Sequence, residues 1–169
     1  NIHTKLLGKH NVINLLLSIS LALNFQIGID EIVETIKKIE PVEHRLNLIE
    51  NNGRFILDDS FNANNVGVYS ALEVLKTFKG KKIVITGGIV ELGDKEYEEN
   101  YKLGKALKDF DVVIITNFIN KTALLDGLKH HKNKVFAVGS LNGALKILQN
   151  NFNKGDCVLF LNDLPDNYE

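Results

Sequence analysis

The sequence predicts an α/β chain, a mainly parallel sheet with helices on both faces, preceded by two amino-terminal helices and a β-hairpin. Three observations predict it. From residue 66 onward, short and uniformly apolar runs alternate with segments of helical period, the signature of strands buried on both faces. Before that, the apolar spacing is helical twice and then alternates on either side of Asn51-Asn52-Gly53, as in a hairpin. Finally, every strand runs out into small or polar residues: Asp58-Asp59, Thr86-Gly87-Gly88, Thr116-Asn117, Gly139-Ser140 and Asn162-Asp163. In a parallel arrangement these ends share one edge of the sheet, where ligands bind in open α/β folds.

Taken in order, residues 10–25 carry Val12, Leu15, Leu16, Ile19 and Leu23 at helical spacing, with Ile13, Leu17 and Leu21 widening the face. Gly28 ends this helix and Asp30 caps the next. Ile32, Val33, Ile36 and Ile39 line the second helix until Pro41 stops it. Leu46, Leu48, Phe55 and Leu57 then mark the hairpin. Helices follow at about 66–78, 96–108, 121–130 and 141–151, with strands at 82–86, 112–116, 135–138 and 157–161.

At 169 residues the chain is one domain, or one domain with an appendage, and its 44% hydrophobic content is that of an ordinary globular protein. A formal charge of −1 gives no electrostatic reason to expect nucleic acid or an anionic membrane as partner. The apolar stretch from Ile13 to Phe25 is interrupted by Asn14, Ser18, Ser20 and Asn24, so no membrane span is expected. The single cysteine, Cys157, excludes an internal disulfide, fits a reducing compartment and reads as a small buried hydrophobe. No methionine occurs, even at position 1, so the chain is expected to be a piece of a longer protein.

The most informative stretch is Asp58-Asp59-Ser60-Phe61-Asn62-Ala63-Asn64, where five polar residues in seven follow an apolar strand. Such groups are rarely buried without partners, so the cluster reads as a site. Turn formation and helix capping account for one or two of these residues, Asn64 above all. Asn11, Asn14 and Ser18 form a polar stripe on an otherwise apolar helix. A purine edge offers amides complementary groups, and solvent offers the same. His44-Arg45 stands between the helical pair and the hairpin; the Arg fork suits phosphate, although a junction Arg also serves as a surface ion-pair partner.

In this order and spacing the pieces resemble the Mur ligase family of ATP-dependent amino-acid-adding enzymes. Gly8-Lys9-His10-Asn11-Val12-Ile13-Asn14 resembles that family's Gly-x-His-Asn-x-x-Asn helix start, and Glu43-His44-Arg45 its His-Arg junction. Asp58 to Asn64 is similar to the Asp-Asp-Ser-Tyr-Asn-Ala-Asn-Pro signature of the branch that adds D-alanyl-D-alanine to UDP-N-acetylmuramoyl-tripeptide, and Val90-Glu91-Leu92-Gly93 to its Leu-Glu-Leu-Gly. The resemblance extends from residue 8 to the Asn162-Asp163-Leu164-Pro165-Asp166-Asn167 ending. It implies that residues 1–40 are the last helices of a central ATPase domain and 41–169 a Rossmann-like carboxy-terminal domain that closes over the nucleotide.

The same resemblance implies that Asn11 and Asn14 contact adenine, Arg45 the phosphates and Asp59 the ribose hydroxyls, with His10 and His44 as further nucleotide contacts. Ser60, Asn62 and Asn64 would face the acyl phosphate and the incoming dipeptide. ATP and Mg2+ would be the cofactors, with the magnesium held mainly by the central domain. The implied setting is the cytoplasm, and the implied partner beyond the substrates is the rest of the polypeptide.

Departures concern the amino substrate. The signature's Pro is Asn65, its Tyr is Phe61, and the branch's Gly-Asp-Met is Gly87-Gly88-Ile89. A sibling ligase with another amino substrate, or a non-catalytic nucleotide-binding or docking domain, is the alternative. No Gly-x-x-x-x-Gly-Lys-Ser/Thr occurs, so the chain alone is expected not to turn over substrate. Thr86 to Gly93 has the wrong glycine spacing for a nicotinamide-binding Rossmann loop. His130-His131, beside Lys129 and Lys132, reads as a solvated helix end rather than a metal site. Glu96, Glu98 and Glu99 read as an exposed face, and Ser60 has no histidine at a spacing that suggests a triad.

Overall fold

The computed structural model describes residues 1–61, 64–130 and 134–161. Its helices are α1 (Lys9–Asn24), α2 (Ile29–Lys38), α3 (Asn65–Lys76), α4 (Glu96–Ala106), α5 (Lys121–Leu128) and α6 (Leu141–Asn151). Its strands are β1 (Asn47–Asn51), β2 (Arg54–Asp58), β3 (Lys82–Thr86), β4 (Val112–Ile115), β5 (Lys134–Ala137) and β6 (Cys157–Leu161). They form one sheet in the order β1-β2-β6-β3-β4-β5, parallel throughout except for the β1–β2 hairpin at the edge. The expected class is present, with every expected helix and strand.

Strand periodicity divides the core. Ile83 and Ile85 of β3, with Ile114 and Val158, pack against Ala144 and Leu148 of α6 and against Phe152. Val84, Val113, Leu159 and Leu57 point the other way, onto Leu72 and Leu75 of α3, Leu103 of α4 and Leu124 of α5. Helices therefore cover both faces, unequally. The last strand enters between β2 and β3, so the ends of β2, β6, β3, β4 and β5 share one edge, as expected.

Local details differ from the sequence reading for identifiable reasons. α1 ends at Asn24, and the left-handed residue after it is Gln26 (φ 61°), while Gly28 has φ −63° and precedes α2. Asp30 lies in the first turn of α2 and makes no capping hydrogen bond; a carboxylate there complements the helix dipole instead. α2 stops at Lys38, ahead of Pro41. Leu46 is not in the hairpin: it is buried, at φ 51°, immediately before β1. β1 has no buried face, since Leu48 and its neighbour Ile49 are both exposed at the sheet margin. Its turn has Asn52 and Gly53 at positive φ, the twist that a tight hairpin needs.

α1 has no buried residue. Val12, Ile13, Leu16, Leu17 and Leu21 are all exposed, so its apolar face is uncovered among the described residues. No described helix is long and apolar enough to cross a membrane.

Candidate nucleotide site

Four segments meet at the end of β2 around a cleft of about 650 Å³. The start of α1 contributes His10, Asn11 and Asn14. The linker between α2 and β1 contributes Arg45 and Leu46. The end of β2 contributes Asp59 and Phe61, and the start of α3 contributes Asn64, Val66 and Gly67. Residues distant in sequence thus share one concavity, the α1 side chains and the cluster after β2 lining the same space. Its volume is that of a small-molecule site. His10 Nδ1 lies 3.0 Å from the Ser70 hydroxyl, a hydrogen bond that ties α1 to α3.

The linker is bent into this wall by the two adjacent carboxylates. His44 and Leu46 both have left-handed backbone, at φ 61° and 51°, which a leucine adopts only when its surroundings hold it there. Asp58 Oδ2 accepts from His44 Nδ1 at 2.8 Å, and Asp59 Oδ1 accepts the Leu46 N–H at 3.0 Å. The Phe61 N–H donates to the His44 carbonyl at 3.1 Å. Each carboxylate grips one neighbour of Arg45, and the arginine between them lines the cleft.

The Arg45 guanidinium lies 4.4 Å from the centre of the Phe61 ring. Among the described residues it has no ion pair or hydrogen bond, so its N–H edges are available to an anion. Asp59 is half-buried, and burial pushes its carboxyl above the usual range. The Leu46 N–H and the charges of His10 and Arg45 pull it back, while Asp58 adds to the rise.

The remaining candidates divide. Asn11 spends one amide proton on the Leu7 carbonyl at 2.8 Å and keeps its other groups. Asn14 has no described side-chain partner; its backbone carbonyl receives the Ser18 hydroxyl at 2.9 Å, so Ser18 is turned back on its own helix. Asn64 accepts the Gly67 N–H at 2.8 Å and is the cap of α3. Asn62 lies outside the described residues, as do His131 and the ending from Asn162.

His44 and Ser60 are not on the cleft wall; they face Asp58. Ser60 Oγ donates to Asp58 Oδ1 at 2.6 Å and is 3.3 Å from His44 Nδ1. The fold thus brings together a Ser, a His and an Asp that sequence spacing did not connect. The geometry is not that of a nucleophilic triad, because serine and carboxylate share Nδ1 and the serine proton goes to the aspartate. The cluster is a fastening for the turn after β2.

Asn100 is a polar residue that the sequence reading passed over. Fully buried on α4, it accepts the Ile89 N–H and donates to the Ile89 carbonyl, both at 2.8 Å. Asn120 donates to the same carbonyl at 3.2 Å, which fixes the loop after β3. The position of Asn100 among the inward-facing residues of a charged helix was the available signal. Cys157 is buried in β6, and burial pushes its thiol up to about 12. Among the described residues, no group of three or more His, Cys, Asp or Glu could hold a metal ion.

A family model described as the glutamate ligase domain of Mur ligases matches residues 44–162. The chain is 27% identical over 161 residues to the UDP-N-acetylmuramoyl-tripeptide–D-alanyl-D-alanine ligase of Bacillus subtilis, a match covering 92% of this chain and 35% of that protein. Its fold is similar to that of MurF from Acinetobacter baumannii, with TM-score 0.83 and 28% identity over 94% of this chain and 36% of that one. It is also similar to the MurF ligase of Thermotoga maritima in complex with ADP, with TM-score 0.79 and 24% identity over 90% of this chain and 34% of that one. The chain spans about a third of the length of these relatives.

Proposed function

This chain belongs to the Mur ligase family. We propose that it is the carboxy-terminal part of a cytoplasmic ATP-dependent ligase that adds D-alanyl-D-alanine to UDP-N-acetylmuramoyl-tripeptide in peptidoglycan precursor synthesis. Residues 1–40 are then the end of the ATPase domain, and 41–169 the Rossmann-like domain that closes over the nucleotide. The observation that carries this reading is the meeting of Asn11, Asn14, Arg45 and Asp59 around one cleft.

ATP, when bound, would supply the phosphoryl group that activates the tripeptide carboxylate as an acyl phosphate; the dipeptide amine would then attack the acyl carbon, forming the amide bond and releasing inorganic phosphate. The residues of this chain bind and orient. Arg45 offers a fork of N–H donors to phosphate oxygens. Asn11 and Asn14 offer amide groups to the adenine edge, and Asp59 accepts from the ribose hydroxyls with His10 beside it. His44 holds the turn after β2 through Asp58, and the dipeptide role proposed for Ser60, Asn62 and Asn64 rests on the signature they belong to. The described residues present no cluster that fits magnesium, so no step through the metal is assigned to this chain.

ADP titrated into the chain and followed by amide NMR tests the reading. Shifts are expected at Asn11, Asn14, Arg45 and Asp59, without turnover of ATP. Shifts confined to other surfaces, or ligase turnover by the isolated chain, would overturn it. A panel of amines offered to the full-length polypeptide separates D-alanyl-D-alanine from the amino substrates of sibling ligases.

A further inference from the structure

We infer that Phe61 is a positioning residue: its ring is the platform that aims the Arg45 guanidinium into the cleft. This rests on the nucleotide reading of the cleft and deepens it. Arg45 follows His44 and precedes Leu46, and both neighbours are fixed, one by Asp58 and one by Asp59. Its backbone is therefore determined, while its long side chain has no described polar partner. The guanidinium lies over the Phe61 ring, 4.4 Å from its centre, and interacts with the Asp59 carboxylate only through charge, without an ion-pair contact among the described residues.

The platform is itself held in place. The Phe61 N–H donates to the His44 carbonyl, so the ring is anchored to the residue next to the arginine it carries. Phe61 remains 41% exposed, and its ring lines the cleft rather than filling the core. Stacking on a π face satisfies the guanidinium plane and leaves its N–H edges unspent. An ion pair would have consumed those edges. A preorganised fork also loses less rotamer freedom when an anion binds. The recognised chemistry is a phosphate oxygen of a nucleotide, and the ring needs no hydroxyl for this task.

The test is a double-mutant cycle in the full-length polypeptide, with KM for ATP and kcat measured for wild type, Arg45→Ala, Phe61→Leu, the double variant and Phe61→Tyr. A partly exposed stacked pair corresponds to about three- to five-fold in affinity. Phe61→Leu is expected to raise KM for ATP by that factor with kcat little changed, and Phe61→Tyr to behave as wild type. In the Arg45→Ala background, Phe61→Leu is expected to have no further effect. An equal effect of Phe61→Leu in both backgrounds would show a general structural role and overturn the inference. A loss with Arg45→Ala but none with Phe61→Leu would overturn it while leaving the nucleotide reading intact. No effect from Arg45→Ala would remove the nucleotide role of Arg45 and the inference with it.

Discussion

Asp59 accepts the backbone N–H of Leu46 at 3.0 Å, and Leu46 is a buried leucine held at φ 51°. One carboxylate thus secures the strained linker while facing the cleft. Asp59→Ala leaves a buried N–H without its acceptor, at a cost of about 1–3 kcal/mol. Asp59→Asn keeps an acceptor in place. Urea unfolding of the two variants is expected to rank alanine well below asparagine.

The same carboxyl sets a pH dependence. Its folded-state pKa is raised, chiefly by burial. The folded chain therefore holds that proton to higher pH than the unfolded chain. The associated stability is fully present below the unfolded value and is lost as pH rises through the folded one. Melting curves between about pH 4 and pH 7 should show Asp59→Asn without this loss. The affinity of that variant for ADP should fall as the ribose acceptor is weakened.

Leu46→Gly sets two effects against each other. Relief of the left-handed backbone is worth about 1–2 kcal/mol. Removal of a buried leucine side chain costs about 2–5 kcal/mol. The variant is expected to be less stable than wild type by denaturant unfolding, because burial outweighs strain.

α4 and α5 meet backbone to backbone through two glycines. A Cβ on Gly127 would lie 2.3 Å from the Tyr101 carbonyl oxygen and 2.8 Å from the Gly104 Cα. Gly127→Ala is expected to cost about 1–3 kcal/mol by overpacking. A lower Tm with unchanged secondary structure by circular dichroism would register it, and an unchanged Tm would refute the close approach.

Cys157 should be inert in the native chain. Burial pushes its thiol from 9.0 up to about 12, and its side chain is inaccessible. A disulfide reagent at about pH 8 is expected to label it only on unfolding. Stability linked to this thiol is intact below the unfolded value of 9.0 and is lost as pH rises toward about 12.

The α/β class, the order of the elements and the polar strand ends destined for one edge were legible in the chain's pattern of apolar and polar residues. Those features follow from local patterning, and short β-branched apolar runs such as Ile83-Val84-Ile85 suit a strand covered on both faces. The same pattern also singled out Asn11, Asn14, Arg45 and Asp59, because polar groups beside apolar elements are conspicuous in one dimension. What these groups face follows from the packing of segments far apart in the chain. His44 and Ser60 turn toward Asp58, Asn64 caps α3, and Leu46 leaves the hairpin for a strained, buried position. Side-chain direction depends on contacts between segments distant in the chain, and the Arg45–Phe61 stack exists only because the turn after β2 folds back onto the linker.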